Sequence, residues 1–193
     1  MSSSTGMSSG CSASKHPLTA IYLVGFMGSG KTSVGLRLAQ RIAWKFVDLD
    51  QRIEQEAGSS IAEIFARAGE GAFRQREHAL LRQVLEETPE AGGLVVALGG
   101  GTFAQPQNFE LLQRSGAITI WLECPVEELL MRCALVTSRP LFRDEASFSR
   151  LYEQRLPYYR QATFAVHTGK ADPDDVVNQI LALVPLRGKQ CGS

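Results

Sequence analysis

The chain has 193 residues, which favours a single domain. Lys and Arg together (20) balance Asp and Glu (20), so no net charge draws the protein to nucleic acid or to a membrane surface. No apolar run approaches the length of a membrane span, so the sequence predicts neither a nucleic-acid nor a membrane partner. Neither C-x-x-C pairing nor zinc-site spacing occurs among the four cysteines, Cys11, Cys124, Cys133 and Cys191. We therefore expect reduced thiols and a cytoplasmic protein.

Composition also divides the chain into segments. Residues 1–16 are rich in serine and lack the apolar stretch of a secretory signal. We interpret them as a disordered extension that precedes a folded domain over residues 17–186. Residues 187–193 are expected to form a short C-terminal tail.

Strand-like and helix-like segments alternate through the folded domain. Short apolar runs predict strands at 20–24, 46–48, 94–98, 117–122 and 164–167. Helical patterns begin near Lys31 and at Pro125, and the others cover 51–57, 60–68, 71–87, 107–114, 148–161 and 173–184. This alternation predicts an α/β fold with three αβα layers around a central parallel five-stranded sheet. Ligands of such sheets bind beyond the carboxyl ends of the strands.

The segment Gly-Phe-Met-Gly-Ser-Gly-Lys-Thr at residues 25–32 matches the phosphate-loop pattern G-x-x-x-x-G-K-[ST] without a mismatch. It follows the first predicted strand and precedes a helical pattern, which is the setting that a phosphate-binding loop requires. We expect Lys31 to reach the β- and γ-phosphates of a nucleoside triphosphate and the Thr32 hydroxyl to ligate Mg²⁺. The alternative is a glycine-rich turn that matches the pattern by chance.

The second predicted strand ends in two acidic residues, in the run Asp48-Leu49-Asp50. Alternate side chains of a strand share a face, so we expect both carboxylates to project in the same direction. Beside a triphosphate, one acid can orient Mg²⁺ or its waters while the other holds a substrate hydroxyl and accepts its proton. The alternative is a pair of solvated acids that cap the next helix.

A glycine triplet, Gly99 to Gly101, follows the third predicted strand directly. Its backbone N–H groups could approach a ligand closely, although a flexible strand-to-helix turn is the simpler interpretation. Arg74 and Arg155 lie in predicted helices, where most arginines are solvated. A guanidinium group nevertheless presents a planar fork that suits a carboxylate or a phosphate.

An irregular segment follows the predicted helix that begins at Pro125 and is bracketed by Arg132 and Arg139. We interpret residues 132–147 as a mobile lid. Arginines on a lid can neutralise charge at the transferring phosphoryl group and exclude water when the lid closes. An ordinary mobile loop with exposed arginines is the alternative.

Taken together, these residues resemble the shikimate kinase family, a family of P-loop kinases, over nearly all of residues 18–184. The matching segments are GFMGSGKTSVG at 25–35, FVDLD at 46–50, GEGAFRQRE at 69–77, LGGG at 98–101, RPLF at 139–142 and EQRLPYY at 153–159. The resemblance implies phosphorylation of the 3-hydroxyl of shikimate by ATP with Mg²⁺, in chorismate and aromatic amino-acid biosynthesis. It also implies a monomer.

The resemblance assigns roles to individual residues. It implies that the catalytic residues are Lys31, Asp50 and Arg139. ATP is expected to contact Gly28, Ser29, Gly30, Lys31, Thr32, Ser33, Arg132 near the adenine, and Arg139 at the phosphates. Shikimate is expected to contact Asp50, Gly99, Gly100, Gly101 and the carboxylate clamp of Arg74 and Arg155. Mg²⁺ is expected to be held by Thr32 and, through water, by Asp48.

Two other functions remain open at this stage. A kinase for another small hydroxylated acid or sugar, such as gluconate, would use the same phosphate loop, and a substrate panel distinguishes it. A nucleotide-dependent switch is the second alternative. A GTPase-type switch is expected to carry N-K-x-D and D-x-x-G, and neither string occurs in the chain.

Overall fold

The structure is a computed structural model that describes residues 20–87, 92–134 and 145–184. The predicted extension at 1–16 and the tail at 187–193 lie outside the described residues. Residues 135–144 of the predicted lid, with Arg139, also lie outside them.

The described strands form one parallel sheet, which confirms the predicted architecture. Five strands are hydrogen-bonded in the order β2-β3-β1-β4-β5. Their bounds are Ala20–Val24 for β1, Lys45–Asp48 for β2, Leu94–Ala97 for β3, Ile118–Glu123 for β4 and Phe164–His167 for β5. The central position of β1, between β3 and β4, puts the loop that follows it in the middle of one edge of the sheet.

Helices connect the strands. They are α1 (Lys31–Ile42), α2 (Leu49–Ala57), α3 (Ile61–Glu86), α4 (Pro106–Ser115), α5 (Val126–Ala134), α6 (Glu145–Tyr159) and α7 (Pro173–Leu183), with a short 3-10 turn at Thr102–Ala104. In the described parts of the chain, no helix combines the length and apolar character needed to cross a membrane.

Side chains of β1 alternate between two separate cores, which accounts for the three layers. Ile21 and Leu23 pack with buried residues of α1 and α7, whereas Tyr22 and Val24 pack with a cluster that includes buried residues of α2 to α6. Each fully buried Leu or Ile contributes about 1.5–3 kcal/mol. The sheet is therefore held from both faces, and its carboxyl edge provides a rigid base for a site.

The structure confirms one detail of the predicted elements and corrects another. The break predicted between the helices at 60–68 and 71–87 is present, because two helical parts of α3 meet at Gly69, where φ is 76° and ψ is 173°. This non-helical conformation favours glycine and changes the course of the chain. Asp50 does not continue a strand, because Leu49 already begins α2 and Asp48 caps that helix.

Candidate active site

The predicted phosphate loop connects β1 to α1, and its geometry suits an anion. Gly30, at φ 91°, is the N-cap of α1, and no side chain caps the helix there. The first N–H groups of α1 and the positive end of its dipole therefore point toward the loop. Ser29 Oγ is buried, and it has no hydrogen-bond partner among the described residues. A phosphate group would satisfy both features, so the loop fits a nucleoside triphosphate.

Lys31 lies against the same loop. Its Nζ atom donates hydrogen bonds to the carbonyl oxygens of Gly25 (2.8 Å) and Phe26 (2.9 Å). The ammonium group is therefore held at the loop from which a phosphate would be contacted. Of the next two residues of α1, Thr32 is partly buried and Ser33 is exposed.

Asp48 connects the phosphate loop to α2. Its Oδ2 atom accepts a hydrogen bond from Thr32 Oγ1 at 2.7 Å. Its Oδ1 atom accepts from the N–H groups of Asp50 (3.1 Å) and Gln51 (3.3 Å), so Asp48 is the N-cap of α2. Capping was the alternative interpretation of these acids, and Asp48 caps α2 while also contacting Thr32.

The paired oxygens of Thr32 and Asp48 fit a magnesium ion. A hydroxyl and a carboxylate are hard oxygen ligands, and Mg²⁺ in nucleotide sites is usually bound by one or two protein oxygens together with phosphates and waters. The described residues contain no group of three or more His, Cys, Asp or Glu that could hold a metal ion.

Asp50 reaches the site by a route that strand alternation did not predict. It lies in the first turn of α2 and lines the cavity described below. Its Oδ1 atom is 2.5 Å from the point that a Cβ atom on Gly99 would occupy. The carboxylate therefore lies against the glycine turn, where a side chain on residue 99 would displace it.

A cavity of about 720 Å³ joins these groups. Its lining includes Thr32 and Asp48 as well as the two predicted clamp arginines. Its lining consists of Met27, Thr32, Asp48, Asp50, Gln51, Glu54, Ser60, Ile61, Ala62, Phe65, Phe73, Arg74, Glu77, Gly99, Gly100, Gly101 and Arg155. The structure thus brings both predicted acids, the glycine turn and both arginines into one cavity of a size typical for small ligands.

Arg74 and Arg155 converge over Gly101, although they are far apart in sequence. A Cβ atom at residue 101 would lie 3.0 Å from Arg74 Nη2 and 3.1 Å from both Arg74 Nη1 and Arg155 Nη2. Two guanidinium groups so close together repel each other unless an anion lies nearby. The arrangement therefore suits a ligand carboxylate.

Glu77 holds Arg74 in place, and the sequence reasoning did not identify it. Its Oε2 atom accepts from Arg74 Nη1 at 2.9 Å, and its Oε1 atom accepts from Thr102 Oγ1 at 2.6 Å. The side chain is only 1% exposed, so the ion pair is buried on the Glu77 side. Glu70 contacts the same guanidinium at 3.1 Å from the solvent side. The i,i+3 spacing of Arg74 and Glu77 on a helix is the signal that could have revealed the pair.

Arg155 is held by backbone and aromatic groups. Its Nη1 atom donates to the carbonyl oxygen of Gly100 at 3.0 Å, and its guanidinium carbon lies 5.3 Å from the ring centre of Phe26. Burial lowers the pKa of Arg155, because the charged form loses hydration, and the positive charge of Arg74 acts in the same direction. An anion placed between the two arginines would offset both effects.

Arg132 lies at the other side of the phosphate loop. Its Nη1 atom donates to the carbonyl oxygen of Gly28 at 3.2 Å, and its Nη2 atom donates to the carbonyl oxygen of Gly169. It also pairs with Glu128 at 3.5 Å. The side chain thus joins the phosphate loop to the loop after β5.

Comparisons with known proteins agree with one another. The profile of the family described as shikimate kinase matches residues 27–185. Shikimate kinase from Synechococcus sp. (strain CC9605) is 45% identical over 86% of this chain and 82% of its own, and the enzyme from Persephonella marina is 39% identical over 85% and 98%. A structure of shikimate kinase from Acinetobacter baumannii in complex with shikimate is 37% identical, with a TM-score of 0.80 over 86% of this chain and 92% of that one.

Proposed function

Because the chain belongs to the shikimate kinase family, we propose that its cavity binds shikimate between Asp50 and the arginine pair, with ATP at the phosphate loop. Its activity is the phosphorylation of the 3-hydroxyl of shikimate by ATP, which gives shikimate 3-phosphate and ADP. This reaction is a step in chorismate and aromatic amino-acid biosynthesis, and Mg²⁺ is its metal cofactor.

The convergence of two arginines over Gly101 is the observation that carries the proposed binding mode. Arg74 and Arg155 present nitrogen atoms about the same point, and both side chains are largely buried. A carboxylate there would accept hydrogen bonds from both groups, each worth about 1.5–3 kcal/mol for a charged pair. The carboxylate of shikimate is therefore assigned to the arginine pair, which directs the ring hydroxyls toward Asp50.

Asp50 is proposed to position the 3-hydroxyl and to accept its proton. As the hydroxyl oxygen bonds to the γ-phosphorus of ATP and the bond to the ADP oxygen breaks, the hydroxyl proton passes to the Asp50 carboxylate. Because the transition state of phosphoryl transfer is largely dissociative, the attacking oxygen needs little activation, and the position of Asp50 matters more than its basicity.

The residues of the phosphate loop are proposed to bind the triphosphate. Gly28 and Gly30 offer backbone donors, Ser29 offers its hydroxyl, Lys31 supplies a positive charge, and α1 adds its N-terminal dipole through Thr32 and Ser33. Mg²⁺, when bound, neutralises charge on the phosphates and orients them, and Thr32 and Asp48 are the residues that would hold it. Arg132 is proposed at the adenine side, and Arg139, outside the described residues, at the transferring phosphoryl group.

We also propose that the protein acts as a cytoplasmic monomer with no nucleic-acid or membrane partner. The even balance of charged residues supports the absence of a nucleic-acid or membrane partner. A monomer is supported because every residue assigned to the site belongs to one chain, and no described part of the site calls for a second subunit. Sedimentation or light scattering of the purified protein tests the oligomeric state directly.

Release of ADP, measured with Mg-ATP and with or without shikimate, tests the activity, with gluconate as the control acceptor. We expect rapid release only when shikimate is present. ADP release with gluconate but not with shikimate would contradict the assignment of the arginine pair to the shikimate carboxylate, although the protein would still be a kinase. Slow release that no acceptor changes would favour a nucleotide switch.

A further inference from the structure

The hydroxyl group of Tyr159 makes a buried contact that the proposed binding mode does not use. Tyr159 is near the end of α6 and is 1% exposed. Its ring stacks on Trp121 of β4 with a centroid distance of 6.2 Å. Its hydroxyl donates a hydrogen bond of 2.5 Å to the carbonyl oxygen of Gly100. Tyr159 does not line the cavity, so any effect on the substrate must pass through Gly100.

The same carbonyl oxygen also accepts a hydrogen bond from Arg155 Nη1, at 3.0 Å. A carbonyl oxygen has two lone pairs, so Tyr159 and Arg155 together satisfy this acceptor. The hydroxyl thereby fixes the point against which the Arg155 guanidinium rests. A shift of the carbonyl would move that guanidinium relative to Arg74.

The carbonyl of Gly100 also sets the direction of the next N–H group. The peptide unit is planar, so the N–H group of Gly101 points opposite to the Gly100 oxygen. No backbone-to-backbone hydrogen bond among the described residues uses the N–H group of Gly100 or Gly101 as its donor. Both residues line the cavity. Their N–H groups keep their direction toward a ligand only while the peptide keeps its orientation.

Three consecutive glycines cannot hold that orientation by themselves, because glycine samples more backbone conformations than any other residue. Hydrogen bonds from Thr102 N–H to Gly99 oxygen (3.1 Å) and from Ala104 N–H to Gly101 oxygen (3.2 Å) close the turn, but neither contacts the Gly100 carbonyl. That carbonyl is held from outside the turn, by α6.

We propose that Tyr159 is a positioning residue for shikimate. Its hydroxyl group anchors the Gly100 carbonyl and so aligns Arg155 and the Gly101 N–H group with the substrate. This inference rests on the proposed function, because the same cavity must bind shikimate. Burial raises the pKa of Tyr159, so the hydroxyl keeps its proton and remains a donor throughout the neutral range.

The variant Tyr159→Phe removes only the hydroxyl and keeps the ring on Trp121. We expect the KM for shikimate to rise about tenfold, as for the loss of one buried hydrogen bond that orients a ligand group. We expect kcat and the KM for ATP to stay within about twofold, because the phosphate loop is unchanged. Tyr158→Phe is the matched control, since this neighbouring half-buried tyrosine packs against Phe109 and does not line the cavity.

A double-mutant cycle with Arg155→Lys separates positioning from general stability. If both groups act through one carbonyl, Tyr159→Phe should raise the KM for shikimate less in the Arg155→Lys background than in the wild type. Equal effects of Tyr159→Phe in both backgrounds would overturn the proposal. A parallel rise of the KM for shikimate and the KM for ATP, together with a lowered Tm, would overturn it as well. So would a Tyr159→Phe enzyme with an unchanged KM for shikimate. A wild-type protein without shikimate-dependent ADP release would instead contradict the proposed function itself.

Discussion

The phosphate loop and the arginine pair, called here the phosphate end and the carboxylate end of the site, are built in different ways. The phosphate end uses consecutive residues, 25–33, whose backbone N–H groups and helix dipole provide the binding surface. The carboxylate end uses side chains from three separate segments, around Arg74, Gly101 and Arg155. A local backbone motif forms wherever its sequence occurs between a strand and a helix, whereas a clamp of distant side chains exists only when the whole sheet has formed.

The two ends also differ in the groups that carry their positive charge. The Lys31 ammonium group donates to two carbonyl oxygens of its own loop, whereas a guanidinium group presents a planar fork that can bind a carboxylate through two parallel hydrogen bonds. Arg74 and Arg155 are already fixed by Glu77 and by the Gly100 carbonyl, with their remaining donors over Gly101. Preorganised groups lose less entropy on binding. We therefore expect specificity for the acceptor to reside mainly at the carboxylate end.

Asp50 lines the same cavity as Thr32 and the arginine pair, and its substitution should have the largest effect on turnover. We expect Asp50→Asn to lower kcat by about 10²–10³-fold, because the amide neither accepts the hydroxyl proton nor holds the hydroxyl in the same way. ATP affinity should remain within about twofold, since Asp50 belongs to the first turn of α2 and not to the phosphate loop. Single-turnover ADP formation and ATP titration measure the two quantities. Glu56→Gln, on the exposed side of α2, is the control, and comparable losses in both variants would remove the special role of Asp50.

The clamp predicts a second effect, confined to the carboxylate end. Arg74→Ala or Arg155→Ala should weaken shikimate binding by about 2–4 kcal/mol, because a charged ligand group loses one partner. Arg74→Ala should also reduce the free energy of unfolding by about 1–3 kcal/mol more than Arg155→Ala does, since it leaves Glu77 buried beside Thr102 without its cation. Steady-state kinetics and chemical denaturation test these expectations. An unchanged KM for shikimate in both variants would refute the clamp.

The same contrast explains what could be predicted from the sequence. The parallel sheet and the phosphate loop follow from apolar periodicity and a contiguous motif, and the fold confirms the sheet. Asp48 and Asp50 were expected to share a strand face, but the N-cap preference of Asp48 starts α2 earlier and carries Asp50 to the cavity on a helix. Nothing in the local pattern of residue 155 indicates that it meets Arg74, because that contact depends on where α6 packs.

Arg132 offers a test from the phosphate end. We expect Arg132→Met to raise the KM for ATP about tenfold, because the loop after β5 loses its charged hydrogen bonds to the phosphate loop. The KM for shikimate should change by less than about twofold. Arg114→Met, at a largely exposed position of α4, serves as the control. Equal changes in both KM values would show that the two ends of the site are not separable.

Substitutions at the break in α3 should have the smallest effect on activity, and two glycines there should change the free energy of unfolding in opposite directions. Gly69 has φ 76° and ψ 173°, while Gly71 shows no positive φ, and a Cβ atom at either position would meet no heavy atom within 4 Å. Because neither site is crowded, only backbone conformation decides the outcome. Gly69→Ala should reduce the free energy of unfolding by about 1–3 kcal/mol, whereas Gly71→Ala should raise it by about 0.5–1 kcal/mol through helix propensity.

Thermal or urea unfolding of the two alanine variants measures these changes, and kinetics connect them to the clamp. Arg74 lies one and a half turns beyond the break, so a straightened helix in Gly69→Ala would move its guanidinium away from Arg155. A rise of about twofold to fivefold in the KM for shikimate is expected for Gly69→Ala alone, a modest change because Glu77 still holds the guanidinium. If Gly71→Ala raised that KM equally, the orientation of Arg74 would not depend on the conformation at Gly69.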